Sequence, residues 1–226
     1  LVKLQSGDEE NLAIWQRMIT LSQEQFDHVY GRLGVTFDET LGESFYNPQL
    51  PGLVEELQGK GIAELSEGAM VVRFPGDKQL ADKPAIVRKR DGAANYTTTD
   101  LATLRYRMET WSPTDIVYVT DGRQQLHFQQ LFNIFGRWQE SASAKLEHVW
   151  FGSILGPDGK PFKTRSGETV RLADLLDEAE ERALAVVSEK NPDLPDAEQR
   201  EIARVVGLGA LKYADLSNNR QSDYIF

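Results

Sequence analysis

Between Thr99 and Phe151 the chain alternates helix-period and strand-period segments, and this alternation narrows the fold more than any other feature. Thr99 to Trp111 reads as a helix. Asp115-Ile116-Val117-Tyr118-Val119 follows as a short strand whose composition predicts apolar cover on both sides. Gln124 to Trp138 returns to helical spacing, with Leu126, Leu131, Ile134 and Phe135 on or near one face, and His148 to Phe151 is a second strand. Strands separated by helices of this length predict an α/β fold with a parallel sheet and helical crossovers. Such sheets bind ligands beyond the carboxyl ends of their strands. The turn Thr120-Asp121-Gly122-Arg123-Gln124 leaves such an end.

The flanking segments are simpler. Asp8 to Leu33 has helical spacing and stops at Gly34, and Val35-Thr36-Phe37 reads as a short strand. Pro48 to Lys60 predicts a helix with Leu50, Leu53, Val54 and Leu57 inward. Short strands follow near Met70–Phe74 and Ala85–Val87. The last third is helical. Leu172, Leu175, Leu176, Ala179 and Ala183 form one stripe, and Asn191 to Pro195 is a linker. Asp196 with Gln199 resembles a capping box for a helix reaching Leu216.

Composition removes several function classes. The 226 residues contain no cysteine, which excludes a disulfide scaffold, a thiolate metal site and a cysteine nucleophile, and fits an intracellular, cytoplasmic setting. Only His28, His127 and His148 are present, so no protein-bound metal is expected. No apolar run is long enough for a membrane span. The net charge of −10 argues against a protein that only binds nucleic acid, while leaving room for a local basic patch and suiting a cationic small ligand.

Three segments could carry chemistry. In Asn95-Tyr96-Thr97-Thr98-Thr99-Asp100, a strand enters and a helix leaves, with Thr98 or Thr99 able to cap it. Tyr96 and Asp100 could face one pocket. The plainer alternative is that Asp100 is a first-turn acid favouring the helix dipole. Asp121-Gly122-Arg123-Gln124-Gln125-Leu126-His127-Phe128 follows the strand directly, as functional loops often do, though Asp121 could simply cap the next helix. Gly156 to Gly167 sets Lys160, Lys163 and Arg165 among glycines. Such a loop can bring cations to a polyphosphate. It is not a Walker A sequence, and it could equally be an exposed hairpin tip with a Pro157-Asp158-Gly159 turn.

The residues themselves are more specific than their pattern. Tyr96-Thr97-Thr98-Thr99-Asp100 resembles the Tyr-x-Thr-x-Asp segment of arginyl-tRNA synthetases, and Asp121 to Phe128 resembles their Asp-x-Arg-Gln-x-Leu-His segment. Gly42-Glu43-Ser44 is similar to their Gly-Glu-Ser segment. Phe162-Lys163-Thr164-Arg165-Ser166-Gly167 resembles their degenerate Lys-Met-Ser-Lys-Ser-type loop. Lys212 to Arg220, then Asp223-Tyr224-Ile225-Phe226, resembles the stretch after their nucleotide-binding fold. The matches run in the family's order across nearly the whole chain.

The resemblance implies the second half of a class I synthetase Rossmann-like fold with a helical and β connective insertion and C-terminal helices. On it, residues 1–87 are insertion and adjoining catalytic fold. Residues 88–170 are the second half-fold, and 171–226 are helices leading to an anticodon-binding domain. It implies an arginine–tRNA ligase using L-arginine, ATP with its Mg2+, and tRNA(Arg). Glu43, Tyr96, Asp100 and Gln124 fall on arginine-binding positions. Their oxygens suit a guanidinium, which has five donors and no acceptor. Leaving those oxygens unpaired against citrulline or lysine could discriminate on the order of 10⁴–10⁵-fold. His127, Lys163 and Thr164 fall on the ATP side, and Lys163, Arg165 and Ser166 on the loop that stabilises the leaving pyrophosphate. No His-Ile-Gly-His-type segment is present. The expectation is therefore an incomplete catalytic unit, monomeric but with an open sheet edge, that activates arginine poorly alone. The alternative is a non-catalytic arginine-binding paralogue or sensor.

Overall fold

The computed structural model describes residues 7–140, 143–155 and 171–225. The chain forms two compact units, one from residues 1–40 and 162–219, the other from 41–161 and 220–226.

The first unit is helical. Helix α1 (Glu9–Leu33) starts where the Asp8 carboxylate accepts the Asn11 amide, and it ends at Gly34 in the left-handed region at φ 64°. Val35 does not begin a strand. Its amide donates to the Tyr30 carbonyl at 2.9 Å, and Phe37 packs edge-on against Tyr30, so residues 35–37 complete the helix end. Later in the chain, α5 (Leu172–Lys190) and α6 (Asp196–Leu216) form a helical hairpin. Of the expected α5 stripe only Leu176 is fully buried, and Leu172 lies exposed. The two helices touch backbone to backbone, because an alanine methyl at Gly207 would lie 2.6 Å from the Ala179 carbonyl oxygen. Arg32 of α1 ties to Asp177 and Glu180 of α5 at 2.7 and 2.8 Å.

The expected capping box at Asp196 does not form. Pro195 occupies the cap, and Gln199 turns inward. Its amide donates to the Asn191 and Leu194 carbonyls, and its oxygen accepts the Ser188 hydroxyl at 2.6 Å. A buried amide thus satisfies the linker between the helices, where a Glu or Gln at the surface would have satisfied only the helix end.

The second unit mixes helix and sheet. A 3₁₀ helix (Glu43–Gln49) runs into α2 (Leu50–Gly59), which buries Leu50, Leu53, Val54 and Leu57 as the sequence predicts. β1 (Glu64–Ser66), β2 (Ala69–Val72) and β3 (Ala85–Arg88) make an antiparallel sheet in that order. After it come α3 (Tyr96–Trp111), β4 (Asp115–Asp121), a 3₁₀ turn (Gly122–Gln124), α4 (Gln125–Trp138) and β5 (Lys145–Phe151). β4 and β5 pair in parallel, Tyr118 opposite His148, so α4 is the crossover expected between them. β6 (Ile154–Leu155) pairs in parallel with β7 (Tyr224–Ile225).

One core joins the two sheet regions. Met70, Val72 and Val87 from the antiparallel sheet share it with Leu101 and Leu104 of α3 and Leu131, Ile134 and Phe135 of α4. Burial on α4 follows the expected stripe except at Leu126, which lies 40% exposed while Phe128 is buried in its place. The expected two-sided cover of β4 is also corrected: Ile116 is buried, but Val117 and Val119 are exposed. Alternation along the strand sends Ile116, Tyr118 and Thr120 toward the α4 side and the valines away from it.

Candidate functional site

The site is built at the start of α3. Asn95 is the cap, its side-chain oxygen accepting the Tyr96 amide at 2.9 Å while its amide group donates to the Ile86 carbonyl. The threonines do not cap. Thr97, Thr98 and Thr99 are buried, the Thr98 hydroxyl donating to the Val87 carbonyl and so tying the helix start to β3. The helix therefore begins at Tyr96, earlier than the spacing predicts. Asp100 stands in its second turn, past the reach of a first-turn dipole interaction. Tyr96 and Asp100, four residues apart, share one helix face.

That face meets α4. His127 places Nε2 2.6 Å from Asp100 Oδ2, and the Tyr96 ring lies edge-on to the imidazole at a centroid distance of 4.8 Å. The His127 side chain is 10% exposed and the Asp100 side chain 32%, so the carboxylate is held from the protein side and open on the other. Behind them, Phe128 stacks on His148 at 4.4 Å, and His148 Nε2 lies 2.8 Å from the Thr120 hydroxyl. Burial keeps the His148 imidazole below its ordinary value. Burial also pushes the Tyr118 phenol well up, against the pull of Arg107 over its ring. The sequence pattern does not mark these groups as site residues. The alternation of Tyr118 and Thr120 along β4, with His148 on the next strand, is the signal that could have found them.

The turn after β4 is tightly specified. The Asp121 carboxylate accepts the Arg123 amide and the Nε–H and Nη2–H of its guanidinium at 2.8–3.0 Å. The Arg123 hydrogen bonds lower its pKa to about 2. Gly122 lies against Trp150, where a methyl would come within 2.9 Å of the indole. This anchoring fixes the start of α4, and so the position of His127 in its first turn.

The structure thus brings Tyr96, Asp100 and His127 together. Gln124 ends the 3₁₀ turn in an exposed position. Glu43 is exposed at the head of its 3₁₀ helix, which packs on α3 through Phe45 and Tyr46 against Tyr106. Among the described residues neither makes a hydrogen bond to Asp100. Lys163, Thr164, Arg165 and Ser166 lie outside the described residues. Among the described residues no cluster of three or more His, Asp or Glu side chains is placed to hold a metal ion, and no helix is long and apolar enough to cross a membrane.

Residues 1–226 match the family model described as tRNA synthetases class I (R), catalytic domain. This chain belongs to that family. It is 52% identical over 231 aligned residues to an arginine–tRNA ligase of Chromobacterium violaceum and 50% identical to one of Laribacter hongkongensis, covering all of this chain and 40% of each relative. It thus spans about two fifths of the length of these arginyl-tRNA synthetases. The arginyl-tRNA synthetase structure of Plasmodium falciparum superposes with a TM-score of 0.83 at 29% identity, over 100% of this chain and 37% of that one. The Thermus thermophilus arginyl-tRNA synthetase, 23% identical, shares the fold at a TM-score of 0.77 over 96% of this chain and 42% of its own. The α/β architecture is therefore that of the class I synthetase catalytic region.

Proposed function

We propose that this chain supplies the arginine pocket of a cytoplasmic arginine–tRNA ligase, with Asp100 as the carboxylate that receives the guanidinium. The observation that carries this reading is the placement of Asp100. Its carboxylate is held at one oxygen by His127, flanked by Tyr96 on the same helix face, and open on its other side. A guanidinium needs acceptors in a plane. Asp100 supplies them with charge, and the Gln124 amide oxygen, the Tyr96 phenol and Glu43 supply the remainder. The net charge of −10 favours the approach of a cationic amino acid.

The reaction so proposed is adenylation followed by transfer. The arginine carboxylate attacks the α-phosphorus of ATP, the bond from that phosphorus to the oxygen bridging to the β-phosphate breaks, and pyrophosphate leaves; Mg2+ bound with the nucleotide would offset its charge. The terminal ribose hydroxyl of tRNA(Arg) then attacks the activated carbonyl and AMP departs. Neither step requires a side-chain base on this chain. Its residues bind and orient, and Lys163, Thr164, Arg165 and Ser166 are assigned to phosphate charge through their match to the family loop. Adenylation by this stretch alone is expected to be weak, because the reading gives the chain only part of the nucleotide site.

Calorimetric titration of the chain with L-arginine, with L-citrulline as its uncharged near-isostere, tests the pocket. Arginine should bind, citrulline should not, and Asp100→Ala should abolish the signal. A folded chain that binds neither ligand, or both equally, refutes the assignment.

A further inference from the structure

His127 touches both Asp100 and Tyr96, and its ring is constrained on several sides. Nε2 faces the Asp100 carboxylate at 2.6 Å, while Nδ1 is buried with no hydrogen-bond partner among the described residues. Tyr96 meets the ring edge-on and Phe128 closes another side at a centroid distance of 5.0 Å. A neutral imidazole has one N–H and one lone pair. With the proton on Nδ1, the Nε2 lone pair would face a carboxylate oxygen at hydrogen-bond distance, and a donor would be buried unpaired. With the proton on Nε2, the bond to Asp100 forms and only a weak acceptor is left unpaired. A doubly protonated ring would again bury an unpaired donor.

We infer that His127 is a positioning residue for the amino-acid side of the site rather than a nucleotide contact. Its Nε2–H donates to Asp100 Oδ2, fixes that carboxylate's orientation, and leaves Oδ1 for a guanidinium N–H. The role rests on the arginine pocket proposed above. Three features make the arrangement suited to it. The ring is nine-tenths buried and wedged between aromatic groups, so its donor cannot swing away. A neutral donor adds no positive charge, so Asp100 keeps its full charge for the ligand. Asp100 also sits on a helix whose start is pinned to β3 through Thr98 and Asn95, so both members of the pair are anchored in regular structure.

The test combines a spectroscopic readout with a rescue. Long-range ¹H–¹⁵N spectra of the unaltered chain should show His127 as the Nε2–H tautomer, and adding L-arginine should leave that tautomer in place. His127→Leu should weaken arginine binding by about tenfold to a hundredfold, the range for losing a hydrogen bond to a charged group. His127→Gln, whose amide can reach the same point, should recover most of that loss. The shorter His127→Asn should not. Circular dichroism of each variant checks the fold, and if the Leu variant does not fold, the Gln-against-Asn contrast and the tautomer still decide. An Nδ1–H tautomer, or a Gln variant no better than Asn, overturns the role. Full arginine affinity in His127→Leu, with binding abolished in Asp100→Ala, overturns it while the pocket stands. If the unaltered chain binds no arginine, both fall together.

Discussion

Gly207 and Gly209 lie two residues apart in α6, and alanine substitutions at them should move stability in opposite directions. At Gly207 the new methyl would meet Ala179 O at 2.6 Å, Ala179 C at 2.8 Å and Glu180 N at 2.9 Å, all backbone atoms of α5 and all well inside the 3.4 Å of ordinary contact. No side chain can turn aside to make room, so the helices must separate. Overpacking of this kind costs about 1–3 kcal/mol, and the better helix propensity of alanine returns up to about 1 kcal/mol. With backbone atoms inside 3 Å placing the cost toward the upper end, the net expectation for Gly207→Ala is a loss of up to about 2 kcal/mol. At Gly209 nothing lies within 4 Å, so only the propensity gain remains and Gly209→Ala should stabilise by about 0.5–1 kcal/mol. A chain with two units need not unfold in one step, so the readout should be local. Native-state hydrogen exchange of the α5 and α6 amides gives the opening free energy of the hairpin directly. A Gly207→Ala protein exchanging as slowly as the Gly209→Ala protein would show that the two backbones do not touch, and the close crossing would have to be abandoned.

Two further outcomes follow from side chains away from the pocket. Gln199→Leu removes the acceptor for Ser188 and the donors to two linker carbonyls, which should cost about 2–3 kcal/mol in the same exchange measurement; a cost below about 0.5 kcal/mol would mean the buried amide is incidental. Asp121, whose folded pKa falls from 3.8 to about 2 chiefly through its hydrogen bonds with Arg123, contributes stability that is present above pH 4 and lost as the pH falls through about 2. Carboxyl ¹³C titration should place its midpoint near the lower value, and Arg123→Ala should return it toward the ordinary one; an unmoved midpoint would remove Arg123 as the cause.

The pocket depends on a difference between two kinds of information. Tyr96 and Asp100 are neighbours on a helix, so their shared face could be read from spacing once the helix start was known. Spacing alone misplaces the start, because Thr98 and Thr99 both look like caps. Only the structure shows that they are buried and that Asn95 does the capping. The partner of Asp100 could not be read in this way. His127 is 27 residues away, and nothing in local periodicity says which side chain on α4 will face which on α3. The same limit explains Gln199. Its spacing from Asp196 fits a local cap, but the linker folding back over α6 offers two carbonyls that claim the amide instead.

By itself the sequence determined the helices, whose ends carry their own signals in Asp8, Gly34 and the Asn191–Pro195 linker, and the α4 crossover between two parallel strands. It also determined the family, because motifs survive as residue identities whether or not their contacts are known. Tertiary structure alone decided that Val117 and Val119 are exposed, that residues 35–37 end a helix, and that His127 holds Asp100. Periodicity and capping are properties of a few neighbouring residues. What covers a face, and which distant group pairs with a carboxylate, are settled only when separate elements compete for the same space.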